Sequence, residues 1–374
     1  MPLKKFLIIL IIALILIVSS FLIYNSFLKP SSFDTSDDIE TTNGDQLTSG
    51  SSNIKIISQE AILSPIIDGQ KIKYYSATNG NVFESSFDGL EMNQVSSNIL
   101  NNLSKILWSP NKDKIIAIFE ENNQLKKYFY DYATGLSTPL DENIQWIAWS
   151  PEQDKIAYQY YNPQTEINNI STADPSVSQW NNILDTRMKN LIVEWPSKTR
   201  VSIRTRASGL AQSVVYTIDL ENNNLKKIVN ETYGLTVLWS PLGDKLLFSE
   251  TNKDGKNLKL KIADLAKQTI DQLDFITLPE KCVWSQDNQT IFCAVPTKEI
   301  RSMTVLPDDY YKDKIYFSDA IWRINLDTGE ATQVAGSTTS NEATYDAKEL
   351  LLSPLEDYLF FINRKNDYLY NLKL

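Results

Sequence analysis

Histidine is absent from all 374 residues, and only two cysteines and 12 glycines are present. Without an imidazole, the Ser/His/Asp and Cys/His schemes for activating a nucleophile have no base, and a zinc site loses its commonest ligand. No Gly-x-Ser-x-Gly elbow compensates, so the α/β-hydrolase mechanism has no support in the sequence. A basic stripe is missing too. Lys and Arg number 36 against 46 Asp and Glu, a formal charge of -10, whereas a nucleic-acid binder needs a positive face that displaces counterions. The composition therefore predicts no nucleic-acid partner, no metal and no cofactor, with an acidic surface that aids solubility.

Long hydrophobic runs are likewise scarce, with one exception. From Phe6 to Tyr24 the chain reads FLIILIIALILIVSSFLIY, without a charge and with only two serines. At a rise of about 1.5 Å per residue this reaches roughly 28 Å, close to the thickness of a bilayer's hydrocarbon core. No convincing small-x-small cleavage site precedes Lys29, which favours an uncleaved anchor over a signal peptide. Lys4 and Lys5 lie before the run, and Asp34, Asp37, Asp38 and Glu40 after it, so the positive-inside rule puts the N-terminus in the cytoplasm and the remainder outside. The expected organisation is a cytoplasmic stub at residues 1–5, a membrane anchor at 6–28, a flexible Ser/Thr/Asp-rich linker at 29–53 and a globular part at 54–374.

The globular part repeats itself. Its fullest phrases are Leu107-Trp-Ser-Pro-Asn-Lys-Asp-Lys114, Ala148-Trp-Ser-Pro-Glu-Gln-Asp-Lys155 and Leu238-Trp-Ser-Pro-Leu-Gly-Asp-Lys245, each followed by an aliphatic run. Weaker copies stand at Leu63-Ser64-Pro65, Trp195-Pro196, Trp284-Ser285 and Leu352-Ser353-Pro354. Taking Leu63, Trp108, Trp149, Trp195, Trp239, Trp284 and Leu352 as equivalent gives seven units, spaced 41 to 46 residues apart except for a last interval of 68. That period, filled with short β-rich runs and turn residues, predicts four-stranded propeller blades rather than helical repeats. Proline presets a turn while the Ser and Asp side chains bond nearby backbone, so Asp68, Asp113, Asp154, Asp244 and Asp357 read as turn formers and not as metal ligands. The last unit lacks room for a fourth strand, and Ile54 to Ser58 is a spare strand before the first. The expected fold is all-β, a seven-bladed propeller closed by that strand, with one N-terminal transmembrane helix.

The Trp-Ser-Pro-x-x-Asp-Lys-aliphatic phrase resembles the repeat of TolB-type propellers, also called WD40-like or PD40 repeats, across residues 54 to 374. The resemblance implies an envelope protein that docks other envelope components. The chain departs from TolB in keeping an anchor and lacking TolB's extra N-terminal domain.

Two features invite a site. The long interval holds an insertion on blade six, residues 296–316, in which Pro307, Asp308, Asp309, Tyr310 and Tyr311 combine a rigid turn, two carboxylates and two amphipathic rings. It reads either as a partner-contact loop or as a plain surface excursion. Cys282 and Cys293 flank one hairpin and fall opposite each other if its turn centres on Asp287 and Asn288, so they form a disulfide or remain packed thiols. With no catalytic constellation in view, the leading expectation is a non-enzymatic, membrane-anchored propeller that binds an envelope protein. The alternatives are a glycan or small-ligand sensor that uses the propeller channel, and a hydrolase or lyase that works with carboxylates alone.

Overall fold

The computed structural model describes residues 53–336 and 344–374. The anchor expected at residues 6–28 lies outside the described residues, as does nearly all of the linker. Among the described residues 28 strands, β1 to β28 in chain order, form seven antiparallel four-stranded sheets. Six blades take consecutive strands at residues 62–96, 103–139, 144–186, 192–233, 237–273 and 282–335. The seventh takes residues 347–373 and is completed by β1 (Ile54–Ile56), which pairs with β28 (Tyr368–Lys373) in the register Ile54↔Leu372 and Ile56↔Tyr370. The chain is thus an all-β, seven-bladed propeller.

The first strands of neighbouring blades meet around the axis: β26 (Ala347–Leu352) touches β2 (Ile62–Asp68), β2 touches β6 (Leu103–Trp108), and β10 (Ile144–Trp149) touches both β6 and β14 (Ile192–Ser197). Apolar cores fill every blade–blade interface. Phe129 and Ile116 of blade two, for example, pack on Ile144 and Ile156 of blade three, and Phe360 and Leu369 of blade seven pack on Ile72 and Tyr74 of blade one. Because a blade's two faces both rest on neighbours, second strands such as Lys114–Glu121, Thr290–Pro296 and Tyr358–Asn363 read as near-continuous apolar runs.

The turn after the inner strand works as its chemistry dictates. In blades two, five and seven the serine hydroxyl donates to the aspartate, Ser109 to Asp113 at 3.1 Å, Ser240 to Asp244 at 3.0 Å and Ser353 to Asp357 at 2.7 Å. The same serine oxygen accepts from the backbone N–H that opens the next strand. Trp108 and Trp149 then reach backwards, their indole N–H groups donating to Ser64 O and Leu107 O of the preceding blade, both at 2.9 Å.

Blade one corrects the alignment of repeats. Ser64 and Pro65 sit inside β2 at a register shift between Leu63 and Ile66, not in a turn. The turn comes later, at Gly69 and Gln70 after Asp68, and Gly69 takes the positive φ of 60° that a tight reversal needs. Asp68 is therefore not equivalent to Asp113; it closes the strand and pairs with Lys73 at 2.7 Å. A proline is tolerated there because the inner strand is an edge strand with unpaired backbone toward the axis.

Cys282 and Cys293 are partners across β22 (Cys282–Trp284) and β23 (Thr290–Pro296), with Cα atoms 4.0 Å apart, and they are disulfide-bonded. Both are buried. The bridge closes a short loop, so its loss through paired Cys→Ser substitution should cost about 2–3 kcal/mol in denaturant unfolding. Alkylation of both thiols in the untreated, unfolded protein would rule the bridge out.

Candidate functional site

In an antiparallel four-stranded blade, the turn between second and third strands and the connection to the next blade leave at the same end. The blade-six insertion, residues 297–318 between β23 and β24 (Asp319–Asn325), therefore shares one propeller face with the openings of all the inner strands. It folds back onto that face. Leu306 and Tyr310 join Leu258, Leu278 and Phe317 in an apolar cluster of their own. Leu306 N–H donates to Gly255 O of blade five at 2.8 Å. A Cβ on Gly209 of blade four would sit 2.3 Å from Leu306 O, so only glycine permits the three loops to meet.

The residues singled out from the sequence are spent largely on this docking. They occupy the one-turn helix α1 (Asp308–Tyr311), preceded by Pro307. Asp308 accepts from the Ser208 hydroxyl at 3.0 Å and from Gly209 N–H at 2.6 Å. Asp309 accepts from Val305 N–H at 2.8 Å. Tyr310 is buried beneath the Arg364 guanidinium, 3.7 Å from its ring centroid. Tyr311 leaves about half of its surface exposed, at 51%, but its hydroxyl end turns inward and donates to Glu280 at 3.1 Å, and desolvation there raises the pKa of both groups.

Beneath the insertion lies a charge network that the sequence did not announce. Lys281 is fully buried and donates to Asp319 at 2.8 Å, Asp346 at 2.5 Å and Ala347 O at 2.9 Å. Arg364 reaches the other oxygen of Asp346 at 2.8 Å and Asp313 at 2.7 Å. Burial alone would lower the pKa of Lys281, yet the two carboxylates raise it, so it stays charged. Each buried member has a counter-ion, which makes this a structural clamp between blades six and seven.

The same face carries a cleft of different character. A cavity of about 880 Å³ opens across blades two, three and four, where Lys105 on β6, Trp146 on β10 and Glu194 on β14 meet Arg204 and Arg206 from the second strand of blade four and the loop after it. Lys126 and Lys127 enter from β8 (Gln124–Asp131) of blade two. Five cations face two carboxylates, Glu142 and Glu194, in a chain whose overall charge is -10. Some of that charge is already neutralised, Arg204 pairing with Glu194 at 3.3 Å and Lys126 with Glu121 at 2.6 Å. Among the described residues, Lys105, Lys127 and Arg206 have no carboxylate within ion-pair distance. The Arg206 guanidinium lies over the Trp146 ring at 5.9 Å.

A concave, locally positive surface beside an indole suits an anionic, ring-shaped ligand: the cations neutralise carboxylates or sulfates, and the aromatic face stacks on a ring. The same cations would stabilise charge that develops when a proton is removed beside a carboxylate. No local motif marks these residues, which come from three blades and are spread along the chain from Lys105 to Arg206. The one available signal is alternation in β8, where Phe129 faces the interior and Lys127, two residues away, must face it too.

No known protein family matches this sequence, and no curated protein matches it. Solved structures do share its fold. An oligogalacturonate lyase from Vibrio parahaemolyticus aligns with 11% identity over 87% of this chain and 94% of its own, with a TM-score of 0.60. An oligogalacturonate lyase in complex with manganese aligns with 13% identity over 86% of this chain and 91% of its own, TM-score 0.57. TolB from Acinetobacter baumannii aligns with 15% identity over 79% of this chain and 59% of its own, TM-score 0.45. Manganese finds no obvious counterpart here, since the chain has no histidine and the described residues hold no group of three or more Cys, Asp or Glu able to hold a metal ion. At these identities what is shared with the two lyases is the fold alone. That finding nevertheless overturns the expectation of a non-enzymatic scaffold. It rested on the lack of a familiar catalytic constellation, yet propellers matching this one over almost their whole length are enzymes acting on an acidic glycan.

Proposed function

We propose that the propeller face bearing the Lys105–Trp146–Arg206 cleft binds acidic oligosaccharides, of which oligogalacturonate is the type, and that any turnover takes place in that cleft. The observation that carries this reading is the convergence of unpaired cations and an indole on one cavity of an otherwise acidic chain. The fold's occurrence in oligogalacturonate lyases supports the choice of ligand class. The apolar run at residues 6–28 would tether the propeller to a membrane, facing away from the cytoplasm, where acidic glycans are met.

Calorimetric titration with tetragalacturonate tests the reading, with maltotetraose as the neutral control. Only the acidic ligand should bind, and its affinity should fall as salt rises, because exposed cations such as Lys105 are screened. Trp146→Ala and Arg206→Ala should each weaken binding about tenfold. Appearance of an unsaturated, ultraviolet-absorbing product would show lyase turnover as well. Equal affinity for both tetrasaccharides, or for neither, would sink the proposal.

A further inference from the structure

Lys127 is the outlier of the cleft. The residue is only 6% exposed, yet among the described residues its ammonium has a single weak contact, Leu125 O at 3.5 Å. The other buried lysine among the described residues, Lys281, shows what a stable arrangement requires: two carboxylates and a carbonyl. A buried cation without a partner loses its hydration and gains nothing in return, so such groups are normally paired or become neutral. Strand pairing explains why Lys127 cannot escape. Opposed to Ile118 in the ladder, and on the same side of β8 as Phe129, its buried side chain lies on the face turned to blade three and lines the cavity. The charged groups sharing that cavity are Lys105, Lys126, Glu142, Glu194, Arg204 and Arg206. Neither carboxylate reaches it.

We infer that Lys127 is a built anion subsite at the floor of the cleft, completed by one carboxylate of the ligand, which supplies the counter-ion the protein withholds. The inference rests on the glycan reading for the identity of that ligand. Lys105 and Arg206, at the surface, would attract an anion from a distance; Lys127, buried, would select one that can shed its water and fit. Burial lowers the pKa of Lys127 in the free protein, and a bound carboxylate would raise it again, so binding at alkaline pH takes up a proton.

The test uses the full chain in nonionic detergent, with tetragalacturonate and inorganic sulfate as separate probes. Lysine acetylation is followed residue by residue by mass spectrometry, and binding by calorimetry in two buffers of different ionisation heat. Tetragalacturonate should slow acetylation of Lys127 about tenfold, and Lys127→Met should weaken its binding by about tenfold or more. Lys127→Arg should bind but show no proton uptake, since a guanidinium never deprotonates. In the free protein Lys127→Met should raise the melting temperature, because it removes an unpaired charge from an apolar wall. A lower melting temperature would mark Lys127 as structural and overturn the inference. Tight binding of tetragalacturonate by Lys127→Met would remove the subsite while leaving the glycan reading intact. If wild type ignores tetragalacturonate but sulfate shields Lys127, the glycan reading falls and the anion subsite stands; if neither probe shields it, both fall.

Discussion

Replacing Lys281 with Met should cost about 3–5 kcal/mol in unfolding free energy, the range found when one partner of a buried ion pair is removed. The substitution leaves the Asp346 carboxylate with Arg364, but strips Asp319 of the one cation that, among the described residues, pairs with it, leaving the Ala347 N–H. Asp319 is buried, and burial already pushes its pKa up even with Lys281 beside it. In the variant it should be pushed further and take up a proton. An acid whose folded pKa lies above its unfolded value contributes stability that is present at low pH and lost as pH rises through the folded pKa. The penalty in Lys281→Met should therefore grow as pH rises, and chemical denaturation at a series of pH values reads it directly. Adding Asp319→Leu should recover much of the loss, because two apolar groups of similar size tolerate burial where a lone carboxylate does not. A pH-independent loss, or a double variant no better than the single, would show that the clamp acts through the packing of the fully buried Lys281 side chain rather than through its charge.

How these features stand to the sequence follows from how far each signal reaches. The blades are legible because Trp-Ser-Pro-x-x-Asp-Lys is a local instruction: the proline stops a strand, the serine bonds the aspartate, and the lysine opens the next strand, all within eight residues. Blade one is misread for the same reason. Leu63-Ser64-Pro65 carries the phrase's residues without its geometry, and the true reversal at Gly69 uses another turn chemistry. The Lys281–Asp319–Asp346–Arg364 clamp escapes notice because its members are spread over more than 80 residues and meet only once blades six and seven are assembled. The cleft is harder still. Lys105, Lys127, Trp146 and Arg206 are ordinary strand and loop residues taken one at a time, and the strong negative charge of the whole chain hides a local excess of positive charge. Conversely, Pro307 to Tyr311 gather carboxylates and aromatic rings in one short stretch, and Asp308, Asp309 and Tyr310 serve the insertion's own attachment.

Removing the chain through Ser58, so that it begins at Gln59, should open the ring at blade seven and cost roughly 4 kcal/mol or more. The first contribution is apolar. Ile57 is buried among Ile62, Ile72, Phe360 and Leu369, at the junction of blades seven and one, and burial of such a side chain is worth about 1.5–3 kcal/mol. Leu369 and Leu372, both fully buried, lose part of their cover as well. The second contribution is polar. Ile57 N–H donates to Leu369 O at 2.8 Å, and Leu369 N–H donates to the Ser58 hydroxyl at 2.9 Å, so deletion leaves backbone groups of β28 without partners. The third concerns architecture: β28 becomes an unpaired edge, and an exposed apolar edge strand recruits other chains. A chain beginning at Asn53 retains β1 and supplies the control, since it lacks the same N-terminal residues 1–52. Thermal unfolding should separate the two truncations, amide exchange at Leu369 should accelerate only in the shorter one, and that one alone should aggregate on standing. Equal melting temperatures would mean that the seven blade interfaces hold the ring without a strand to fasten it, and that β1 decorates the propeller rather than closing it.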